Sequence, residues 1–337
     1  MKNNNNRSHS RSKTPWDERE DLSPLESFIR DEYKDHYKKR HLTQQELKES
    51  ELLNKYHPVS CPYCGSKEFK KNGFTKYNLQ KYRCKECKQN FVITTGTIFQ
   101  DHKQPISEWI EYLLNLFGYS SINLNSKTNK NAETTSKYWL SKVFILLEEY
   151  QSDIKLKGNV QIDETYYTVI KSEIQTKDGK KLRGLSRNKY CIGIGCDSTQ
   201  VYCVIEGKGK TSDNKTLKAF KEHIEERSHL IHDNEKSHNS LVAELNLESE
   251  SYDSKELKKL NDEDNPLNRV NHYCDLLKKF LNSHPGFDRD ELQGYLNLFV
   301  FMMNDPKNKL EKVNLILEKA LNTQKVLHFR DYFAKKP

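Results

Sequence analysis

Val160-Gln161-Ile162-Asp163-Glu164-Thr165-Tyr166-Tyr167 decides how this chain is read. Its β-branched and aromatic residues predict a strand from Val160 to Ile170. Asp163 stands inside that strand, where a carboxylate is unfavourable unless the position needs one. Side chains alternate along a strand, so Asp163 and Glu164 face opposite ways and only one can aim at a given site. Further strands are expected at Tyr190–Cys196, Val201–Ile205 and His229–His232, the last running into Asp233, with a helix at Leu217–Ile224. Strand, strand, strand, helix, strand, helix is an α/β layout. An open sheet builds its site at the carboxyl ends of neighbouring strands, so Asp163 and Asp233 are expected to converge.

Between the first two strands, Lys171 to Lys189 holds seven basic residues against Glu173 and Asp178. Such a loop or hairpin can lie along a phosphate backbone. Residues 248–264 are acidic and serine-rich and read as an exposed connection, after which helices resume near Leu267. Asn271 and Lys278 are nearly two helical turns apart and share a face, offering an amide oxygen to a metal and an ammonium to a phosphate. Asp275, one turn beyond Asn271, is an alternative ligand. His232, Glu235 and His238 look like a metal cluster, but sheet-edge or phosphate-side roles are preferred, because a third metal site would overcrowd the pocket.

Upstream, Cys61-Pro62-Tyr63-Cys64 and Cys84-Lys85-Glu86-Cys87 are separated by 19 residues. Four thiolates so spaced can close a tetrahedral shell around one Zn²⁺. Gly65, Asn72-Gly73 and Lys81-Tyr82-Arg83 suggest short strands and tight turns between the pairs. Eight basic residues lie between Cys61 and Phe91, and Phe74, Tyr77 and Tyr82 among them read as the module's small core in preference to a base-stacking platform. Pro105, Ile106, Trp109, Ile110, Leu113, Leu114 and Phe117 form a helical stripe ended by Gly118. Helices are expected near Ile122–Lys130 and from Thr134 through Leu147. With Lys127, Lys130, Lys137 and Lys142 these could be a helix-turn-helix reader of the major groove, or an ordinary bundle with solvated lysines. The first 20 or so residues read as a disordered basic tail, followed by short helices opening at Ser23-Pro24 and at Thr43.

The 337 residues can form two or three domains, and the formal charge of +8 suits a polyanionic partner. No run approaches the roughly 18 apolar residues of a membrane helix, and no amino-terminal apolar h-region suggests secretion. A cytoplasmic protein without membrane contact is therefore expected, with Cys191, Cys196, Cys203 and Cys274 as buried thiols rather than disulfides.

Taken in order, several motifs resemble the DDE-type transposases of insertion sequences, in the branch that places a zinc ribbon before an RNase H-like catalytic domain. They are Cys61-Pro62-Tyr63-Cys64, Tyr82-Arg83-Cys84 with Cys87, Phe91 through Phe99, Trp109, Asp163-Glu164-Thr165-Tyr166, and Asn268-Arg269-Val270-Asn271 with Lys278. The resemblance spans about residues 58–305. It implies a mixed five-stranded sheet flanked by helices, with Asp163, Asp233, Asn271 and Lys278 as the catalytic set. Asp163 would bridge two Mg²⁺ or Mn²⁺ ions, Asp233 and Asn271 would hold one each, and Lys278 would contact phosphate. Cys61, Cys64, Cys84 and Cys87 would hold the structural zinc.

The implied activity is cleavage at the element's ends, followed by joining of the freed 3′-hydroxyls to target DNA. The implied partners are double-stranded DNA, as terminal inverted repeats and as target, and further copies of the chain assembled on that DNA near the nucleoid. The expected organisation is tail and short helices (1–57), zinc ribbon (58–100), helical DNA-binding module (101–155), catalytic domain (156–305) and helical extension (306–337). Asn at the third position instead of Glu removes one negative charge and weakens metal binding there. A decayed or domesticated copy serving as a zinc-ribbon DNA binder, or an RNase H-like nuclease without strand transfer, are the alternatives.

Overall fold

A mixed five-stranded sheet lies at the centre of the computed structural model, which describes residues 23, 49–102 and 104–334. The expected basic tail and the openings of the two helices near Pro24 and Thr43 lie outside the described residues. Helix α1 (Glu49–Leu53) begins the described chain, and Glu49 accepts a hydrogen bond from the Ile106 amide at 2.6 Å. The cysteine-bearing module follows as a small sheet of β1 (Phe69–Phe74), β2 (Gln80–Cys84) and β3 (Asn90–Phe91). Its core is Tyr82 stacked on Phe91, with Phe69 edge-on to both. Phe74 and Tyr77, expected in that core, are instead exposed. Asn72-Gly73 is a bulge within β1 rather than a turn, and the chain reverses through Asn78, whose φ is 59°. Three short strands bury one side-chain row, and of the module's aromatic residues on these strands Phe69, Tyr82 and Phe91 fall on it, beside Cys84.

Three helices come next: α2 (Ser107–Phe117), α3 (Ile122–Thr128) and α4 (Glu133–Leu147). Trp109 and Trp139 stack between α2 and α4 with ring centroids 4.6 Å apart. Tyr112 Oη donates to the Ser136 carbonyl at 2.8 Å, and Asn125 Nδ2 donates to the Tyr112 carbonyl at 3.0 Å, tying the three helices together. Ile110, counted in the apolar stripe, is partly exposed. Lys142 corrects the expected row of solvated lysines. It is buried, donates to the Ile98 carbonyl, and burial lowers its pKa to about 8. Its position in the pattern resembles that of Lys137, which is exposed and pairs with Glu133 at 2.8 Å.

The central sheet contains β4 (Asn159–Thr168), β7 (Lys189–Cys196), β8 (Val201–Lys208), β9 (His229–Asp233) and β10 (Glu248–Tyr252). A hairpin of β5 (Thr176–Lys177) and β6 (Lys180–Lys181) projects between β4 and β7. Strand order is β10-β9-β4-β7-β8. The meander β4-β7-β8 is antiparallel, whereas β9 and β10 run parallel to β4. This is the RNase H-like arrangement.

Strand β10 falls where an irregular exposed connection was expected. It pairs along one edge only, with β9, so Glu248-Ser249-Glu250-Ser251-Tyr252 needs no continuous apolar face. The opposite edge, β8, is closed by amide side chains. Asn304 exchanges two hydrogen bonds with Val201 at 2.7 and 3.0 Å, and Gln151 exchanges two with Cys203, both at 2.9 Å.

One sheet face carries α5 (Asp213–Phe220) and α6 (Asn239–Leu245); the other carries α8 (Asn268–Ser283), with α7 (Ser254–Leu257) in the connection before it. Gly195 makes room for the first layer, since a Cβ there would lie 2.7 Å from Leu156 and 3.0 Å from Phe220. Helix α9 (Leu292–Met303) is apolar almost all round because it is packed between the sheet and α4. Helix α10 (Lys309–Asn322) packs on α2 and α4, and α11 (Phe329–Ala334) sets Phe329 and Tyr332 against Tyr138. Cys191, Cys196, Cys203 and Cys274 are buried and free. No helix among the described residues is long and apolar enough to cross a membrane.

Candidate active site and metal centres

Parallel pairing of β4 with β9 sets the geometry. Ile162 lies beside His232 in the last registered pair, so one further step along both strands brings Asp163 beside Asp233. Neighbouring strands stand about 4.8 Å apart, and the two carboxylates repel. Burial, then the charge of Glu164, raise the Asp163 pKa to about 6; Asp233 adds to this, while the Glu164 amide, donating to Asp163 Oδ1 at 2.8 Å, opposes it.

Helix α8 is fixed across this face by a residue that the sequence pattern does not single out. Gln161, two positions before Asp163 and on the same face, donates to the Pro266 carbonyl at 2.7 Å and accepts from the Val270 amide at 3.0 Å. The only signal was a large amide in a strand, which reads as a polar position until its partners are known. Cys274 then lies against Asp163, its thiol donating toward Oδ2 at 3.8 Å. Burial holds that thiol protonated, and the charge of Asp163 reinforces it. Asn271 is one turn before Cys274 on α8 and Lys278 one turn after, so both share the helix side that meets Asp163. Lys278 is half-exposed and lies 3.7 Å from Asp275, whose carboxylate is more exposed still and is engaged by that lysine. The alternative ligand thus points outward.

Asp233 Oδ2 accepts from Ser254 Oγ at 3.4 Å, whereas Oδ1 is buried without a hydrogen-bond partner among the described residues. A buried carboxylate oxygen lacking a donor, beside a second carboxylate with a raised pKa, is a site that wants positive charge. Hard divalent cations take oxygen ligands of this kind, so the residues fit Mg²⁺ or Mn²⁺.

One test of that charge deficit needs no DNA. In the folded chain Asp163 binds its proton more tightly than an unfolded aspartate, so without metal it lowers stability as pH rises through about 6, and the penalty vanishes below the unfolded value near 4. Asp163→Asn is expected to raise the stability of metal-free protein by about 1–3 kcal/mol at pH 7.5, with the gain disappearing near pH 4. Urea unfolding of both proteins at the two pH values measures this; an equal gain at both would contradict it.

In the cysteine module, the Cys61–Cys87 and Cys64–Cys84 sulfurs are each 3.6 Å apart, and all four lie within 4.8 Å of one another. Zn–S bonds of about 2.3 Å in a tetrahedron place sulfurs about 3.8 Å apart, close to this spacing. Burial opposes ionisation of Cys84, but the amides of Cys87 and Glu86 outweigh it and bring the pKa to about 7. Although the Gln89 amide pulls the other way, burial and the three neighbouring sulfurs push Cys87 up to about 12. Four thiols this close cannot all ionise without a cation among them. The cluster fits a zinc ribbon.

His232 and His238 correct an expectation. Rather than lying at a sheet edge, both are buried beneath β4 and β9, with ring nitrogens Nδ1 to Nδ1 at 2.8 Å. Glu235 turns away to Lys210 at 3.2 Å. Glu164, on the opposite sheet face from Asp163, accepts from His238 Nε2 at 3.1 Å.

Two carboxylates on adjacent parallel strands, roofed by an amide-bearing helix, define an RNase H-like acidic site. Residues 155–304, somewhat under half of the chain, match the family model of the ISXO2-like transposase domain, which supports a DDE-type transposase. Among solved structures, the simian T-cell lymphotropic virus intasome in complex with a PP2A regulatory subunit aligns at 14% identity and a TM-score of 0.30, over 45% of this chain and 50% of that one. The catalytic domain of Mos1 mariner transposase aligns at 15% identity and 0.30, over 53% and 87%. A Mos1 paired-end complex with Mg aligns at 14% and 0.29, over 62% and 75%. Likenesses this slight carry no weight beside the family match. Comparison with curated proteins found no match.

Proposed function

We propose that this protein is a transposase that cleaves the ends of its own insertion sequence and joins the freed 3′-hydroxyls to target DNA. The observation that carries this reading is the parallel β4–β9 pairing, which sets Asp163 beside Asp233 under α8. Asp163, Asp233 and Asn271 would hold two Mg²⁺ or Mn²⁺ ions, with Lys278 at a DNA phosphate. Bound there, the ions would activate the attacking oxygen and stabilise the leaving one in an in-line displacement. The chain's own contribution is positioning. Gln161 fixes the start of α8 and hence Asn271, and the Cys274 thiol limits how far Asp163 can turn. Asn271 brings no charge, so the two aspartates supply the negative potential of the site. No Ser or Tyr nucleophile is needed. Incubation with a labelled terminal-repeat duplex and a target plasmid tests the reading: nicked ends joined to plasmid support it, and nicking without joining would make the protein a nuclease.

The DNA surface would combine the ribbon, the helices α3 and α4, and the β5–β6 hairpin, with two or more copies assembling on paired ends. In the hairpin, Lys171, Lys177, Lys180, Lys181, Arg183 and Arg187 are all exposed. Each cationic side chain withdrawn from a phosphate lowers the slope of log affinity against log salt by about 0.9. Replacing Lys177, Lys180, Lys181 and Arg183 together by Ala is expected to flatten that slope by about 2–4 and to weaken binding at low salt most. Fluorescence anisotropy across a salt series measures it, and an unchanged slope would remove the hairpin from the interface.

A further inference from the structure

We propose a third cation site, for a borderline divalent ion such as Zn²⁺, formed by His232 Nδ1, His238 Nδ1 and Asp233 Oδ1. These atoms belong to a group whose ligand atoms lie within 4.8 Å of one another. The two Nδ1 atoms are 2.8 Å apart, and His238 Nδ1 is 4.0 Å from Asp233 Oδ1. Each ring is already oriented as a ligand would be. His238 Nε2 donates to Glu164 Oε1 at 3.1 Å, and His232 Nε2 lies 2.9 Å from Ser249 Oγ. With the outer nitrogens so occupied, the inner ones face each other and the orphaned carboxylate oxygen. Metal-bound histidines are usually fixed by such outer partners.

Two imidazoles facing nitrogen to nitrogen share one proton between them. A cation entering there replaces that proton, which leaves to solvent, while the outer N–H groups stay in place. Zn–N bonds of about 2.0–2.1 Å need the nitrogens about 3.3 Å apart, a spreading of roughly half an ångström. Charge also balances, because the two positive charges would meet Asp233 directly and Glu164 through His238. Imidazole and carboxylate favour zinc over magnesium, which separates this site from the all-oxygen set at Asp163. Asp233 is shared, so zinc here would compete for the carboxylate that the proposed catalytic ions need; this consequence, unlike the site itself, rests on the transposase reading.

The test is a metal titration of the full chain followed by optical spectroscopy with Co²⁺. Thiolate-bound Co²⁺ gives sulfur-to-metal charge-transfer bands, and a nitrogen–oxygen site gives only ligand-field bands. The wild type is expected to bind about two Zn²⁺ per chain and to show both band sets with Co²⁺. His238→Gln and His232→Asn, each checked for native circular dichroism, are expected to lose one equivalent and the weaker ligand-field bands of the nitrogen–oxygen site while keeping the charge-transfer and ligand-field bands of the thiolate site. Binding confined to the thiolate component in the wild type, or two equivalents retained in both variants, would overturn the proposal. Because metal is counted directly, loss of DNA cleavage plays no part in the outcome.

Discussion

Asp163→Asn and Asp233→Asn are each expected to lower the rate of terminal-repeat nicking by on the order of 10³-fold, about 4 kcal/mol of transition-state stabilisation. Both substitutions keep shape and remove a charge, so the sheet should survive. Asp163 is a half-buried residue on the central strand whose repulsion from Asp233 and Glu164 is relieved by the change. Asn271→Ala should act more mildly, on the order of 10²-fold, because it removes a neutral ligand whose place water can take. The assay is single-turnover nicking of a labelled duplex in Mg²⁺ and in Mn²⁺. Cleavage persisting in both aspartate variants would mean that the chemistry lies elsewhere.

The second large effect concerns the ribbon. Its buried cluster is only Cys61, Tyr82, Cys84 and Phe91, separate from the main core. So small an apolar core cannot offset the chain entropy of residues 61–91. Structural zinc in modules of this size contributes roughly 10–16 kcal/mol, so its removal is expected to unfold the ribbon and leave the remainder folded. Hydrogen exchange should show the amides of Lys70, Tyr82 and Arg83 losing protection after chelation, or in Cys84→Ser, while those of β4 and β7 keep theirs. DNA affinity should fall in parallel. Protected ribbon amides in protein that elemental analysis finds free of zinc would refute this.

Much of the molecule was legible where sequence pattern and physical requirement coincide. The cysteine spacing is dictated by a coordination shell, and the four sulfurs do come together. Strands β4, β7 and β8 are apolar because they are covered, and β9 announces itself by Leu230-Ile231 before Asp233. What the pattern hid were positions whose role depends on a partner distant in sequence. Strand β10 is polar because only β9 holds it. Lys142 resembles its exposed neighbours until the Ile98 carbonyl is placed over it. Gln161 matters only because α8 begins against it, more than 100 residues downstream. His232 and His238 look like sheet-edge histidines, yet the turn after β9 folds back and buries both against Glu164. Periodicity reports burial on an element. It does not report which element does the burying.

The central claim is that Asp163, Asp233 and Asn271 serve one pair of divalent ions beside DNA. Electron paramagnetic resonance of Mn²⁺ added to the protein bound to its terminal-repeat duplex tests it most directly. Ions about 3.5–4 Å apart are spin-coupled, so an exchange-coupled pair is expected in the wild type and its loss in Asp163→Asn. Isolated, uncoupled Mn²⁺ in the wild type, or a coupled signal that survives Asp163→Asn, would contradict the account.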